Sequence, residues 1–245
     1  MTMLPSRKIV EVAVGVIYGP THKTVLLSSR PQGKVCAGMW EFPGGKVEEG
    51  ETPAQALVRE LSEELAVTCC NPLPWFVMEH EYPHAYVRLN FQRVFEFEGL
   101  PKCLEHQQFA WVDEGSLPQP LLPMVELVVK RAFLPEVLIV VEHGDSDWSA
   151  PEGVAVGVVG DSILAKNWAK KRGFRVIEPQ ALVKGGHCAL QPEAQAKLCA
   201  VINSSQVPMI VHARAPCYVW TDRQEAAPKL PALVRAGAQG AALKV

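Results

Sequence analysis

The sequence predicts an α/β chain in two parts, and three observations predict it. Strand-like apolar segments alternate with helical ones along the whole chain. One segment near the front, residues 52–65, combines a capped start with a leucine stripe, the mark of a helix packed on a sheet. From about residue 135 onward, short β-rich runs alternate with helix-like ones, the pattern of βα units on a mainly parallel sheet. With 245 residues, a division into 1–134 and a smaller α/β domain, 135–245, suits ordinary domain size.

Taken in order, EVAVGVIYG (11–19) reads as a strand, closed by the turn GPTHK and followed by TVLLSSR (24–30) as its hairpin partner. MWEFPGG (39–45) reads as a short strand ending in a Pro-Gly-Gly turn. Thr52 and Pro53 supply an N-cap and a first-turn proline for a helix that runs to about Leu65. YVRLNFQRVFEFEG (86–99) and QFAWVDE (108–114) are strands, and MVELVVKRAF is a closing helix after the proline-rich SLPQPLLP (116–123). In the second part VLIVVEH, VAVGVVG, RVIEP, PMIVH and GAALKV are the expected strands. SILAKNWAKKRG and PEAQAKLCAVIN are the helix-like stretches between them. GVVGDS (157–162) offers a helix N-terminus where a phosphate could sit.

A formal charge of −2 gives no polyanion-binding surface, so no nucleic-acid polymer is expected as a partner. Seven cysteines without a CxxC pair read as reduced thiols in a cytoplasm, and they argue against zinc. The apolar run near the N-terminus is too short to span and carries no cleavage signal, and no segment approaches the roughly 18 apolar residues of a membrane helix. No membrane partner is expected.

On the 52–65 helix, Leu57, Leu61 and Leu65 recur every fourth residue as a buried stripe, while Glu60, Glu63 and Glu64 share another face. Like charges at that spacing repel by a few tenths of a kcal/mol per pair, about what a solvated face tolerates. Enclosed in a site, they need a divalent cation, and clustered hard oxygens suit Mg²⁺ or Mn²⁺.

The full stretch reads Gly45-x5-Glu51-x7-Arg59-Glu60-Leu61-x-Glu63-Glu64-x-Ala66-Val67. It resembles the signature of the Nudix hydrolases, departing only at Ala66, where that family has glycine. Alanine there costs about 1 kcal/mol if the backbone is left-handed, and the chemistry is expected to be intact. The resemblance spans roughly residues 8–132. It implies an α/β/α sandwich around a mixed sheet and hydrolysis of a nucleoside diphosphate linked to another group. It implies Glu60, Glu63, Glu64 and the Gly44 carbonyl as metal ligands, Arg59 as the residue that orients the glutamates, and Glu51 as a brace for the loop.

WEFPGGKVEEGE, SSRP and FAWV look closest to the MutT-like branch, which hydrolyses oxidised purine nucleoside triphosphates such as 8-oxo-dGTP to monophosphate and pyrophosphate in nucleotide-pool sanitation. They are also similar to the CTP pyrophosphohydrolases of that branch. By that likeness Arg30, Glu41, Phe42, Gly44 and Gly45 bind a small-molecule nucleotide, and Glu105 joins the metal site or acts as base. Trp40 and Phe42 also fit core positions, and His80, His84 and His106 are expected to be surface or satisfied histidines. The asparagine with which that branch reads a purine is absent. Leu121 or Val125 stands at its place, and neither can form such hydrogen bonds. This leaves pyrimidine nucleotides or nucleotide sugars as alternative substrates, and a nucleotide-sensing module as an alternative role. In the second part, KRGFRVIEPQAL (171–182) and LVRAGAQGAALKV (233–245) resemble strand-helix units of thiamine phosphate synthase. The segment is about half a complete barrel's length, so the expected role is regulatory or dimer-forming, which would make a homodimer.

Overall fold

The computed structural model describes residues 8–83, 85–140, 156–160, 162–184, 189–222 and 225–244. The chain divides into two compact units, Met1–Ala132 and Phe133–Val245.

In the first unit, β1 (Ile9–Ile17) is central to a four-stranded mixed sheet. It pairs antiparallel with β4 (Gly44–Lys46) and parallel with β7 (Ala85–Val94), and β7 pairs antiparallel with β6 (Leu73–Tyr82). A second sheet joins β3 (Trp40–Glu41), β2 (Val25–Ser29) and β9 (Phe109–Val112), and β5 (Thr68–Cys69) pairs with β8 (Phe97–Glu98). Helix α1 (Pro53–Leu65) opens on a capping box: Thr52 Oγ1 accepts from Gln55 N–H and Gln55 Oε1 accepts from Thr52 N–H. Its Leu57, Leu61 and Leu65 are fully buried against Ala13, Ile17, Leu26 and Val94. Ala66 ends the helix in the left-handed conformation, φ 55° and ψ 32°. Helix α2 (Val125–Ala132) covers the opposite sheet face, its Arg131 guanidinium lying over Phe76 and beside Met78. The unit is an α/β/α sandwich.

Three sequence expectations are corrected here. β1 and β2 do not form a hairpin. They belong to different sheets and meet in one bridge, Tyr18–Val25. Gly44 and Gly45 are not a turn but the start of β4, where a Cβ on Gly44 would lie 2.1 Å from the Ala13 carbonyl oxygen. Residues 73–82, assigned no structure from sequence, form one of the two longest strands.

Among the described residues, the second unit holds seven parallel strands in one sheet: β10 (Val137–Val140), β11 (Val156–Val159), β12 (Arg175–Ile177), β13 (Leu182–Lys184), β14 (Cys199–Ile202), β15 (Cys217–Trp220) and β16 (Gly240–Lys244). Their order is 12-11-10-16-15-14-13, so each strand neighbours its successor except at the two edges. One apolar cluster takes a residue from every strand, among them Leu138, Val159, Ile177, Leu182, Val201 and Tyr218. The sheet is therefore curled around a shared interior. Helices α3 (Ile163–Lys171) and α4 (Ala226–Arg235) cover its outside. KRGFRVIEPQAL falls on the end of α3 and on β12, and LVRAGAQGAALKV on the end of α4 and on β16.

Two expectations fail here. PMIVH lies in a 3₁₀ helix, Ser204–His212, at whose start Gln206 Oε1 accepts from the Asn203 N–H at 3.0 Å. PEAQAKLCAVIN is only a short 3₁₀ segment, Pro192–Ala196, before strand β14. Asp161 of GVVGDS, Glu142 and His143 of VLIVVEH and Cys188 lie outside the described residues, while Ser162 caps α3 by accepting from Ala165 N–H.

Candidate active site

The parallel register of β1 and β7 pairs Val10 with Val87, Val12 with Leu89 and Val14 with Phe91. Side chains alternate across a strand, so these six share the face opposite α1. They floor a cavity of about 830 Å³ that Val125 and Val128 of α2 wall on one side. That side of the cavity is apolar.

The other end is acidic. Glu41, Glu60, Glu64 and Glu105 line it together with Gly44, and Glu48 also lines the cavity. Gly44 N–H donates to Glu64 Oε2 at 3.2 Å. A Cβ on Gly45 would fall 2.1 Å from the Glu60 carboxyl carbon, so glycine there makes room for that carboxylate. Burial raises the Glu64 pKa to about 8, opposed by the Gly44 N–H and reinforced by the charges of Glu60, Glu41 and Glu105.

Arg59 organises the helix face. It holds Glu51 through two bonds, Nε to Oε1 and Nη2 to Oε2, both 2.9 Å, and donates to Glu60 Oε1 at 2.8 Å. A further contact reaches Glu63 at 3.3 Å, and Nη2 also donates to the Lys46 carbonyl at 3.0 Å. The Arg59 pair and the Glu48 N–H hold the Glu51 carboxyl down at about 2. The side chain of Glu60 is 17% exposed and that of Glu63 59%. Glu63 is not among the cavity's lining residues. Residues four apart stack on one helix face, which carries Glu60 and Glu64 inward together.

Among the described residues, no three His, Cys, Asp or Glu side chains already stand as a metal-binding group. Arg59 engages Glu60 and Glu63, the places a cation would compete for. The donor chemistry nevertheless fits Mg²⁺ or Mn²⁺: hard carboxylate oxygens, with a backbone carbonyl at Gly44. Burial is the main cause of the raised Glu64 pKa and the neighbouring carboxylates add to it, so a bound divalent cation would favour its ionised form.

The other expected residues divide. Arg30 Nη1 donates to both oxygens of Glu41 at 2.7 Å, and its Nε donates to the Val35 carbonyl at 2.6 Å. Burial raises the Glu41 pKa, with Arg30 opposing. Phe42 is buried, meets Phe91 edge-on and lines the cavity. Glu105 pairs with Lys34 at 3.5 Å. Val125 lines the cavity, but Leu121 bridges Trp40 and lines an adjoining depression that shares Leu122, Pro123 and Met124 with it. His80 packs edge-on against Tyr82, His106 is exposed, and His84 lies outside the described residues. Sequence reasoning missed Lys34, Tyr82 and the valine floor. Alternation in VEVAV and YVRLNF was the available signal for the floor.

The NUDIX domain family matches residues 13–130, and the chain belongs to that family. Those residues form a Nudix hydrolase domain. The chain is 38% identical over 117 residues to a Haemophilus influenzae protein named 8-oxo-dGTP diphosphatase, covering 48% of this chain and 85% of that one. It is 37% identical over 105 residues to the Escherichia coli (strain K12) 8-oxo-dGTP diphosphatase, covering 43% and 81%. It is 36% identical over 130 residues to the CTP pyrophosphohydrolase of the same strain, covering 52% and 93%.

Proposed function

We propose that the first unit hydrolyses a nucleoside triphosphate to the monophosphate and pyrophosphate with Mg²⁺, Mn²⁺ being a substitute. The proposed substrates are oxidised purine nucleotides such as 8-oxo-dGTP, in the cytoplasmic nucleotide pool. One observation carries the reading: five glutamates and an apolar floor line one cavity of about 830 Å³.

Glu60, Glu64 and the Gly44 carbonyl would hold the cation, with Glu63 completing the set if it turns inward. A bound divalent cation supplies charge neutralisation on the bridging and departing phosphate oxygens. Arg59 keeps Glu60 directed at the site, and Glu51 keeps Arg59 in place. A water oxygen attacks phosphorus, the bond to the bridging oxygen breaks, and a carboxylate, Glu105 or Glu64, takes the water's proton. Phe42 and the valine floor receive the base, while the Arg30–Glu41 pair frames the nucleotide between them.

A second substrate reading, CTP or a related pyrimidine nucleotide, is favoured by Val125, which puts no hydrogen-bonding group on the base wall. Pyrophosphate release with Mg²⁺ from 8-oxo-dGTP, dGTP, CTP and nucleotide sugars tests both. Turnover should depend on Mg²⁺ and vanish in Glu64→Gln. Tight binding without turnover of any of these would overturn the hydrolase reading in favour of a sensor.

A further inference from the structure

The loop that carries Glu105 is tied to the end of α1. Lys102 N–H donates to the Leu65 carbonyl at 2.8 Å, and Leu104 N–H to the Glu64 carbonyl at 3.0 Å. These are helix-end carbonyls without an intrahelical partner, so the loop satisfies them. At its far end the loop is fixed to β2, Ser29 N–H donating to the Gln108 carbonyl and Gln108 N–H to Ser29 Oγ.

Between these anchors sits Gln107, only 8% exposed. Its Oε1 accepts from the Glu105 N–H at 2.8 Å, and its Nε2 donates to the Glu64 carbonyl at 2.9 Å. A carboxamide offers a donor and an acceptor on one planar group, and both are used here. One buried side chain thus joins the backbones of two glutamates that line the same cavity. Among the described residues, the Glu105 carboxylate itself has the exposed, 3.5 Å pair with Lys34 as its one ion pair, a kind of contact that contributes little. Its placement therefore depends on its backbone, and between the Leu104 and Gln108 anchors the Glu105 N–H is held by Gln107.

We propose that Gln107 is a positioning residue for the hydrolysis: it holds Glu105 at the acidic end of the cavity in fixed relation to Glu64. This rests on the proposed function and on a part for Glu105 in it. Gln107→Met keeps the volume and removes both hydrogen bonds. It should lower kcat by about 10- to 100-fold, the range for residues that orient a metal site from behind, with KM changed less than about twofold.

The decisive measurement is a double-mutant cycle. In a Glu105→Gln background the same substitution should lower kcat by less than about threefold, because there is no longer a carboxylate to place. An equal loss in both backgrounds would overturn the inference, as would a lowered thermal midpoint with kcat per folded molecule unchanged. If Gln107→Met does not fold, Gln107→Glu, which keeps the acceptor but not the donor, must show the same dependence on Glu105. Wild-type kcat in Glu105→Gln would sink this inference alone. No turnover by the unaltered protein would sink the hydrolase reading, and this inference with it.

Discussion

The Arg59 guanidinium meets the Glu51 carboxylate edge to edge, with two hydrogen bonds of 2.9 Å. This fork geometry is one that lysine cannot reproduce. It leaves Nη1 directed at Glu60, 2.8 Å away. Arg59→Lys is therefore expected to lower kcat/KM by about 10- to 100-fold, and Glu51→Gln by a similar factor. Both should leave the circular dichroism spectrum unchanged. A loss under twofold in either would show that Glu60 holds its place without this pair.

Gly44 and Gly45 are adjacent but should fail differently. An alanine Cβ at Gly44 meets the Ala13 backbone oxygen at 2.1 Å, at a φ of +140°. Backbone cannot step aside, so Gly44→Ala should destabilise by several kcal/mol, about 3 or more. At Gly45 the Cβ meets the Glu60 carboxylate, the far end of a flexible side chain. Gly45→Ala should fold with a near-normal thermal midpoint and lose most of its activity. Equal midpoints for the two variants would contradict this.

Glu64 and Glu51 set opposite pH windows. Folding raises the Glu64 pKa from 4.5 to about 8, chiefly by burial, so the folded state favours its proton. That contribution is complete below pH 4.5 and is lost as pH rises toward 8. In a metal chelator the thermal midpoint should therefore fall between those values. Stabilisation by added Mg²⁺ should grow over the same range, because the ion competes with the proton. Glu51, held at about 2 chiefly by Arg59, contributes stability above pH 4.5 that is lost as pH falls toward 2. A midpoint in chelator that stays flat from pH 5 to 8 would contradict the placement of Glu64.

Ala66 holds φ 55° and ψ 32°, a conformation that costs a residue with a Cβ about 1 kcal/mol. Ala66→Gly relieves that strain but widens the unfolded ensemble, which takes back part of the gain. The net expectation is stabilisation of up to about 0.5 kcal/mol with unchanged kcat, read by denaturant midpoints. Destabilisation would mean the left-handed turn is not kept in solution.

Helix α1 was legible because its determinants are local: Thr52, Pro53 and Gln55 cap it, and leucines at fourfold spacing bury one face. The motif residues inherit their positions from that helix. What sequence did not show depends on distant pairing. Nothing near Ile9 announces that it lies beside Tyr86, or that β1 leaves β2 for another sheet. Gly44 and Gly45 look like a turn until Ala13 and Val14 pair with them. PMIVH is short and apolar, a pattern that strands and buried helical turns share, and the segment begins with an Asn203–Gln206 hydrogen bond that its apolar pattern does not announce. The exposure of Glu63 follows from how α1 is rotated over the sheet, which the ExxEE spacing alone leaves open.

In the proposed reading, Val125 sets what the wall beside the base can offer. It is 5% exposed, lines the cavity at the start of α2, and offers neither donor nor acceptor. That wall distinguishes a purine by shape, and an apolar wall separates close analogues by roughly 10- to 200-fold at most. The kcat/KM values for 8-oxo-dGTP and dGTP should therefore differ by no more than that. Val125→Asn places an amide against the base, with donor and acceptor on one group. It should cost about 1–3 kcal/mol of stability in the ligand-free protein, where the amide is buried without an assured partner. In exchange, the ratio of 8-oxo-dGTP to CTP turnover should rise at least tenfold. If the ratio does not move, the base does not rest against α2. If the unaltered protein already separates 8-oxo-dGTP from dGTP by about 10⁴, a polar group elsewhere in the cavity reads it, and Tyr82, whose pKa burial and Glu41 raise, is the residue to replace next.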